Sequence, residues 1–187
     1  MTPLVLALAL AADASAGTAY TVEPSRSAVR YHVVHKFHAV TGASSAIEGK
    51  AVVAPDGRIM AMVRVPLASF DSGDRNRDEN MRDAVGAGRH PFVVFKGVAR
   101  LAGWTPAAIL PVREEARMEG EVELNGVKRP VTAALTVELL PDGTARARGT
   151  FAVSLEAFGV ERPSLLFVKI DDACRIEVDL ALRRGPT

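Results

Sequence analysis

Two runs of alternating residues joined by Asn125-Gly126 constrain the fold of this chain more than any other feature. Before the turn, Glu119, Glu121 and Glu123 alternate with small or apolar residues, and the run from 131 to 139 alternates in the same way. Successive side chains of a β-strand point to opposite faces, so each run predicts a strand with one apolar face. Asn-Gly tolerates the positive φ of a tight hairpin turn. Because a lone hairpin is marginal in water, its apolar face must pack against more sheet.

The same alternation recurs along the chain. The predicted strands cover residues 20–38, 47–53, 59–67, 92–101, 118–124, 131–139, 145–155 and 174–183. Pro55-Asp56-Gly57 and Pro141-Asp142-Gly143 are typical of tight turns between strands. Closure into a barrel removes the exposed sheet edges that otherwise aggregate. The sequence therefore predicts an all-β fold, an eight-stranded antiparallel lipocalin-like barrel with one or two short helices. A two-sheet sandwich is the alternative.

Three segments interrupt the pattern. Residues 41 to 45 are small and polar, which predicts a loop. Residues 78 to 85 predict a short helix, with Asp78 capping its free amides and Gly86 ending it. Residues 102 to 115 contain two prolines and a tryptophan, and they predict a connection with one turn of helix.

The first sixteen residues have the character of a secretory signal. Leu4 to Ala12 is apolar, and Ala14-Ser15-Ala16 fits a small-x-small cleavage pattern before Gly17. The apolar run is shorter than the roughly 20 residues that span a bilayer. We expect cleavage after residue 16 and a single barrel domain over 17–187. This predicts a periplasmic or secreted protein, with a truncated start or an N-terminal anchor as the alternatives.

Composition and motifs exclude several functions. A formal net charge of +1 gives no reason to expect nucleic acid as a partner. No nucleophile, base and orienting group come together in the sequence, so no enzyme is predicted. On one extended strand His32 and His38 would lie roughly 20 Å apart at ~3.3 Å per residue, which is too far to share a metal ion. Cys174 is the one cysteine, and its strand position predicts a buried apolar role.

Small residues occupy many of the positions predicted to point into the barrel. They are Gly49, Ala51, Ala61, Gly120, Ala133, Ala145, Ala147 and Gly149. A barrel of eight strands can be filled by its own side chains or can hold one small ligand. Small inward residues favour an apolar void, where an apolar ligand would bind. The alternative is that side chains from loops or a helix fill the interior.

Several local patterns resemble the YceI-like family of exported lipocalin-like proteins, over about residues 20 to 182. The stretch from Tyr20 to His35, YTVEPSRSAVRYHVVH, is similar to the opening of the family. Arg77-Asp78 resembles its Arg-Asp-x-His-Leu motif, although Asn80 stands in place of the histidine. Pro91 to Lys96 resembles Pro-x-Ile-x-Phe-Lys, and the most specific match is the hairpin from Gly120 to Val131. The two consecutive phenylalanines that the family has before the proline at Pro91 are missing from this sequence.

The resemblance implies binding, storage or transport of a long-chain isoprenoid lipid, a quinone or a prenyl derivative, in the barrel interior. No cofactor is implied apart from this ligand, and transient membrane contact is a possible further partnership. His35 and Arg77 are candidates for contacts to the ligand's polar head, since an arginine fork suits phosphate oxygens. The candidate lining residues are Val29, Tyr31, Val33, Val63, Val65, Val93, Phe95, Val122, Leu124, Leu135, Val137, Phe151 and Val153. Two alternatives are an enzyme acting on an isoprenoid or quinone and a filled-barrel module that binds a partner in the cell envelope.

Overall fold

Strands dominate this computed structural model, which describes residues 17–35, 38–162, 164–165 and 168–185. The predicted signal peptide, residues 1–16, lies outside the described residues. The strands are β1 (Thr18–Val22), β2 (Ala28–His35), β3 (His38–Ser44), β4 (Glu48–Val53), β5 (Arg58–Pro66), β6 (Phe92–Arg100), β7 (Val112–Leu124), β8 (Val127–Leu139), β9 (Thr144–Ser154), β10 (Ser164–Leu165), β11 (Val168–Lys169) and β12 (Ala173–Arg184). The α-helix of the described part is α1 (Arg75–Ala84).

The main sheet closes on itself through β12. The strand order is β1-β4-β5-β6-β7-β8-β9-β12-β2-β3, and β1 also pairs with β12. Leu182 of β12 lies opposite Val22 of β1. Further up the strand, Val178 lies opposite Val29 of β2. Because β1 with β2, and β3 with β4, each act as one broken barrel strand, the described residues form a closed eight-stranded antiparallel barrel. The predicted fold class is confirmed.

The break between β1 and β2 is a single turn of 3-10 helix at Pro24–Arg26. Ser27, directly after it, ties the broken strand to β12. Its Oγ accepts a hydrogen bond from the Ala181 amide at 3.0 Å and donates to the Glu23 carbonyl at 2.8 Å. A buried hydroxyl here replaces the ladder bonds that the break removes.

The tight turns lie where the sequence predicts them. Asn125 and Gly126 have φ values of 53° and 72°, the left-handed conformation that a two-residue hairpin requires. Gly57 and Gly143 also have positive φ, at 83° and 79°.

The loop predicted at residues 41 to 45 is wrong. β3 pairs with β2 from Val29 opposite Ser44 to His35 opposite His38, so the chain forms a hairpin where one extended strand was expected. The predicted separation of His32 and His38 assumed one extended strand, so it is wrong for the same reason. Small polar residues form this strand because β2 supplies backbone partners for them, a tertiary effect that overrides a weak strand propensity.

The connection predicted at residues 102 to 115 is too long, because β7 begins at Val112. Met118 is buried, as predicted, and Ala116 is buried too, so the inward alternation starts at least two residues earlier than we expected.

The helix begins earlier than predicted, and a different aspartate caps it. Asp74 is the N-cap, and its Oδ1 accepts a hydrogen bond from the Arg77 amide at 3.0 Å. Asp78 is instead buried, and its carboxylate accepts hydrogen bonds from the Ser72 hydroxyl at 2.6 Å and the Ser72 amide at 3.1 Å. Gly86 follows the helix with φ of 64°, as predicted. Within the described residues, no helix has the length and apolar character needed to cross a bilayer.

The barrel has two ends of different construction. We call the end that carries residues 54–57, 101–111 and 140–143 the turn end, and the end that carries residues 67–91, 125–126 and 155–162 the helix end. The largest fully buried side chains are Leu101 and Leu139, beside the turn end, and Ile47 and Phe158, beside the helix end. The packed core of the molecule is therefore concentrated at the two ends.

Candidate functional site: the barrel cavity

A cavity of about 180 Å³ lies inside the barrel, between the packed ends. Inward residues of β1, β2, β4 to β9 and β12 form its wall, together with Phe70 from the connection between β5 and β6. In a different protein, an engineered apolar cavity of about 150 Å³ contains no water and binds benzene. This interior is therefore large enough for an apolar ligand.

Small residues create the space. Gly97 and Gly120 lie directly opposite each other on β6 and β7, and the ring of Phe95 covers both. Phe95 faces Phe151 across the interior, with ring centroids 6.4 Å apart. A side chain on either glycine would collide with this ring or with neighbouring backbone. Phe95 fills the space beside these two glycines, and the small residues that line the cavity itself are Ala51, Ala61, Ala133, Ala145 and Ala147.

The wall offers almost no polar group to a ligand. Lys50 and Arg146 are the charged residues that border the cavity in the described part of the chain. Arg146 donates from Nε and Nη2 to the two carboxylate oxygens of Asp179, each at 2.8 Å. This hydrogen-bonded pair lowers the pKa of the Asp179 carboxyl and raises that of the guanidinium. Because an unpaired charge in such an interior is costly, the cavity suits a hydrocarbon.

Most of the lining residues that the sequence predicts do lie in the cavity wall. They are Val29, Val63, Val65, Val93, Phe95, Val122, Leu124, Leu135, Val137, Phe151 and Val153. On β6, Val93 and Phe95 point inward. Whether these residues contact a ligand stays a prediction.

Tyr31 and Val33 lie outside the cavity wall. Tyr31 packs against Phe70, with ring centroids 5.6 Å apart, so Phe70 separates it from the cavity. Burial raises the pKa of the Tyr31 phenol, the nearby Asp78 carboxylate raises it further, and Arg77 partly opposes both. Val33 is buried on the same face of β2. The side chain of His35 lies outside the described residues, so its predicted role stays a prediction.

Arg77 lies in a polar cluster at the helix end, which comprises Tyr31, Ser72, Arg77 and Asp78. Its Nε donates to the Ser72 hydroxyl at 2.8 Å, and Nη2 donates to the Ser72 carbonyl at 3.1 Å. Its side chain is otherwise exposed. Phe70 lies between this cluster and the cavity, because it lines the cavity on one side and packs against Tyr31 on the other.

The sequence matches the model of a known family over most of its length. The family model for the YceI-like domain matches residues 20–182. The chain belongs to the YceI-like domain family. A search of curated proteins found no match.

Solved structures share the fold of this YceI-like domain. The crystal structure of BcnA from Burkholderia cenocepacia is 20% identical, with a TM-score of 0.72 over 86% of this chain and 98% of that chain. A polyisoprenoid-binding domain from Saccharophagus degradans, implicated in plant cell wall breakdown, is 14% identical, with a TM-score of 0.73 over 89% of this chain and 98% of that chain. A YceI protein from Campylobacter jejuni is 14% identical, with a TM-score of 0.55 over 79% and 86% of the two chains. These identities support the fold alone.

Sequence reasoning missed part of the wall of this YceI-like domain. The missed residues include Tyr20, Val22, Ile59, Met118, Ile176, Val178, Leu180 and Leu182. All of them follow the inward alternation of their strands, so the signal was present and was not followed to the strand ends. Phe70 is different, because it lies between strands in a polar segment where no periodicity predicts its direction.

Among the described residues, no group of three or more His, Cys, Asp or Glu side chains could hold a metal ion.

Proposed function

We propose that this YceI-like domain binds a long-chain isoprenoid lipid, a quinone or a prenyl derivative, and stores or carries it in the periplasm. The cavity is the main support for this proposal. Its wall is apolar, and the charge of Arg146 is paired with Asp179 and directed away from the cavity. The polyisoprenoid-binding domain with the same fold supports the choice of ligand class. The family assignment supports binding in preference to catalysis.

Burial of the hydrocarbon tail would supply the affinity. At roughly 25 cal/mol per Å², a tail that removes about 400 Å² of apolar surface from water would gain on the order of 10 kcal/mol before ordering costs. The present cavity has room for only part of a long chain, since about 150 Å³ already suits a molecule as small as benzene. We therefore expect the wall to adjust when the ligand binds.

The chemistry of the two ends orients the ligand. At the turn end, Leu101 and Leu139 are fully buried, and Trp104 covers the adjacent turn by donating from Nε1 to the Ala54 carbonyl at 3.1 Å. At the helix end, the ring of Phe70 lines the cavity and packs against Tyr31 of the polar cluster. Rotation of Phe70 would lengthen the cavity and bring Arg77 within reach of the ligand's head. We propose that the tail lies toward the turn end and the head toward Arg77.

Mass spectrometry of the organic extract of protein purified from its own host tests the proposal. We expect an isoprenoid lipid in near-stoichiometric amount. Folded protein that yields a clean extract, and that also fails to take up an added quinone or prenyl pyrophosphate, would refute it.

The head orientation has its own test with matched helix variants. Arg77→Gln should weaken binding of a prenyl pyrophosphate by about tenfold, because it removes one charge-assisted contact, and should leave quinone binding unchanged. Arg75→Gln is the control, since Arg75 is exposed on the same helix and pairs with Glu79. Equal effects of the two variants would contradict the orientation.

A further inference from the structure

The outer face of β4, β5 and β6 carries an apolar patch on a surface that should be polar. We define the outer patch as Val52, Met60, Met62 and Val98. Val52 lies opposite Met60, and Met60 lies opposite Val98, so these three form one row across the strands. Met62 is 42% exposed and Val98 is 51% exposed. Alternation sends these side chains outward, while their neighbours Ile59, Ala61 and Val63 line the cavity.

Basic residues border the outer patch on both sides. Lys50 and Lys96 flank Met62 in the neighbouring cross-strand row. Arg58 and Arg100 lie opposite each other in the row beyond Met60 and Val98. We call these four residues the basic border. All four are exposed, and within the described residues none has a carboxylate partner.

Acidic side chains next to the patch are already paired or occupied. Glu119, opposite Val98, forms an ion pair with Arg117 at 3.3 Å. Glu121, opposite Lys96, lies 3.5 Å from Lys128, which it shares with Glu123 at 3.8 Å. Asp56 accepts a hydrogen bond from the Arg58 amide, which turns its carboxylate toward the backbone. The basic border is therefore left with net positive charge.

We propose that this face docks the protein on an anionic lipid surface. Apolar side chains surrounded by lysine and arginine match the two layers of such a surface, since acyl chains accept the former and lipid phosphates attract the latter. A soluble polyanion without an apolar face would satisfy the basic border and leave the outer patch in water. Apart from Lys50, which also borders the cavity, none of these residues contacts the candidate ligand site, so the inference does not depend on the cargo.

Partitioning onto vesicles tests the proposal with two matched double variants. Lys96→Glu/Arg100→Glu reverses two charges of the basic border. Arg89→Glu/Arg175→Glu makes the same change in net charge at two exposed sites elsewhere. Each basic residue near an anionic surface contributes a factor of about five, so the first variant should bind phosphatidylglycerol vesicles at least about 30-fold more weakly. The second should bind within about threefold of the wild type.

Two further measurements complete the test. High salt should weaken binding of the wild type, because screening by ions shortens the range of the electrostatic attraction. Met62→Ser/Val98→Ser should weaken binding to the same vesicles even at low salt. All substituted side chains are exposed, so circular dichroism and thermal unfolding should match the wild type.

Four results would overturn the proposal. They are no binding of the wild type to anionic vesicles, equal loss in both charge-reversal variants, full binding by Met62→Ser/Val98→Ser, and capture by soluble polyglutamate in place of vesicles. The lipid content of the organic extract should be the same in wild type and Lys96→Glu/Arg100→Glu. A failure of docking is therefore distinguishable from a failure of lipid binding.

Discussion

At the ends of the barrel the fully buried side chains are large, whereas in the middle several alanines face a cavity of about 180 Å³. Phe158 and Ile47 pack the helix end, and Leu101 packs the turn end, where the buried Leu139 also borders the cavity. Gly97 and Gly120, by contrast, lie in the middle of their strands and leave room for one aromatic ring. The two regions belong to one closed sheet, but they are packed to different densities.

The difference shows how a hollow protein can remain stable. Close packing makes the ends sensitive to the loss of even a few methylene groups. Residues that already border empty space have fewer contacts to lose. We therefore expect the ends to determine stability and the middle to determine what binds.

The largest predicted effect is at the helix end. Phe158→Ala should lower the free energy of unfolding by about 3–5 kcal/mol, because Phe158 is fully buried and its removal leaves a new void. Val63→Ala in the cavity wall should cost only about 1.5 kcal/mol, the transfer free energy of the lost methyl groups. Urea denaturation followed by circular dichroism measures both. Equal losses would contradict the division between ends and middle.

The dependence of folding stability on alkaline pH tests whether water is excluded from the Cys174 thiol at the helix end. Burial raises the pKa of the Cys174 thiol from 9.0 to about 11, partly offset by a hydrogen bond from the His32 backbone. The folded state favours the neutral thiol, so this contribution is complete below pH 9 and is lost as the pH rises to about 11. Across that range the wild type should lose about 2 kcal/mol more stability than Cys174→Ala.

Urea denaturation at both ends of the pH range measures this difference. Tyr20, whose pKa burial also raises, is present in both proteins and serves as an internal control. Parallel pH profiles of the two proteins would show that water reaches the thiol.

The smallest predicted effect on stability comes from filling the middle. Ala61→Leu/Ala147→Leu should change the free energy of unfolding by no more than about 1 kcal/mol, because the added methylene groups enter existing space. The same variant should lose most of its lipid in the organic extract. Ala134→Leu/Ala152→Leu is the control, since both alanines are exposed on the outer face and should leave the lipid content unchanged. Retained lipid in the filled variant would place the ligand elsewhere.

Alternation and turn chemistry predicted most of this barrel from local signals. Asn125-Gly126 and the two Pro-Asp-Gly turns fixed where strands reverse, because few residues adopt positive φ without strain. The inward phase of Val122, Leu135 and Phe151 followed from a period of two, which sends alternate residues to one face.

Other features depended on partners that are distant in the sequence. The strand β3 has no apolar pattern of its own and forms because β2 pairs with it. Asp78 was predicted as a helix cap, but tertiary contact with Ser72 buries it, and Asp74 takes the N-cap. Local sequence could not separate these two aspartates, since either suits the start of a helix.

The sequence by itself determined the strands, their turns and the apolar character of the interior, because these depend on side chains a few residues apart. Only the tertiary structure decided that Phe70 separates the cavity from Tyr31 and Arg77, and that Val52, Met60 and Val98 lie side by side outside. Those arrangements join residues from different strands and connections, and barrel closure alone brings them together.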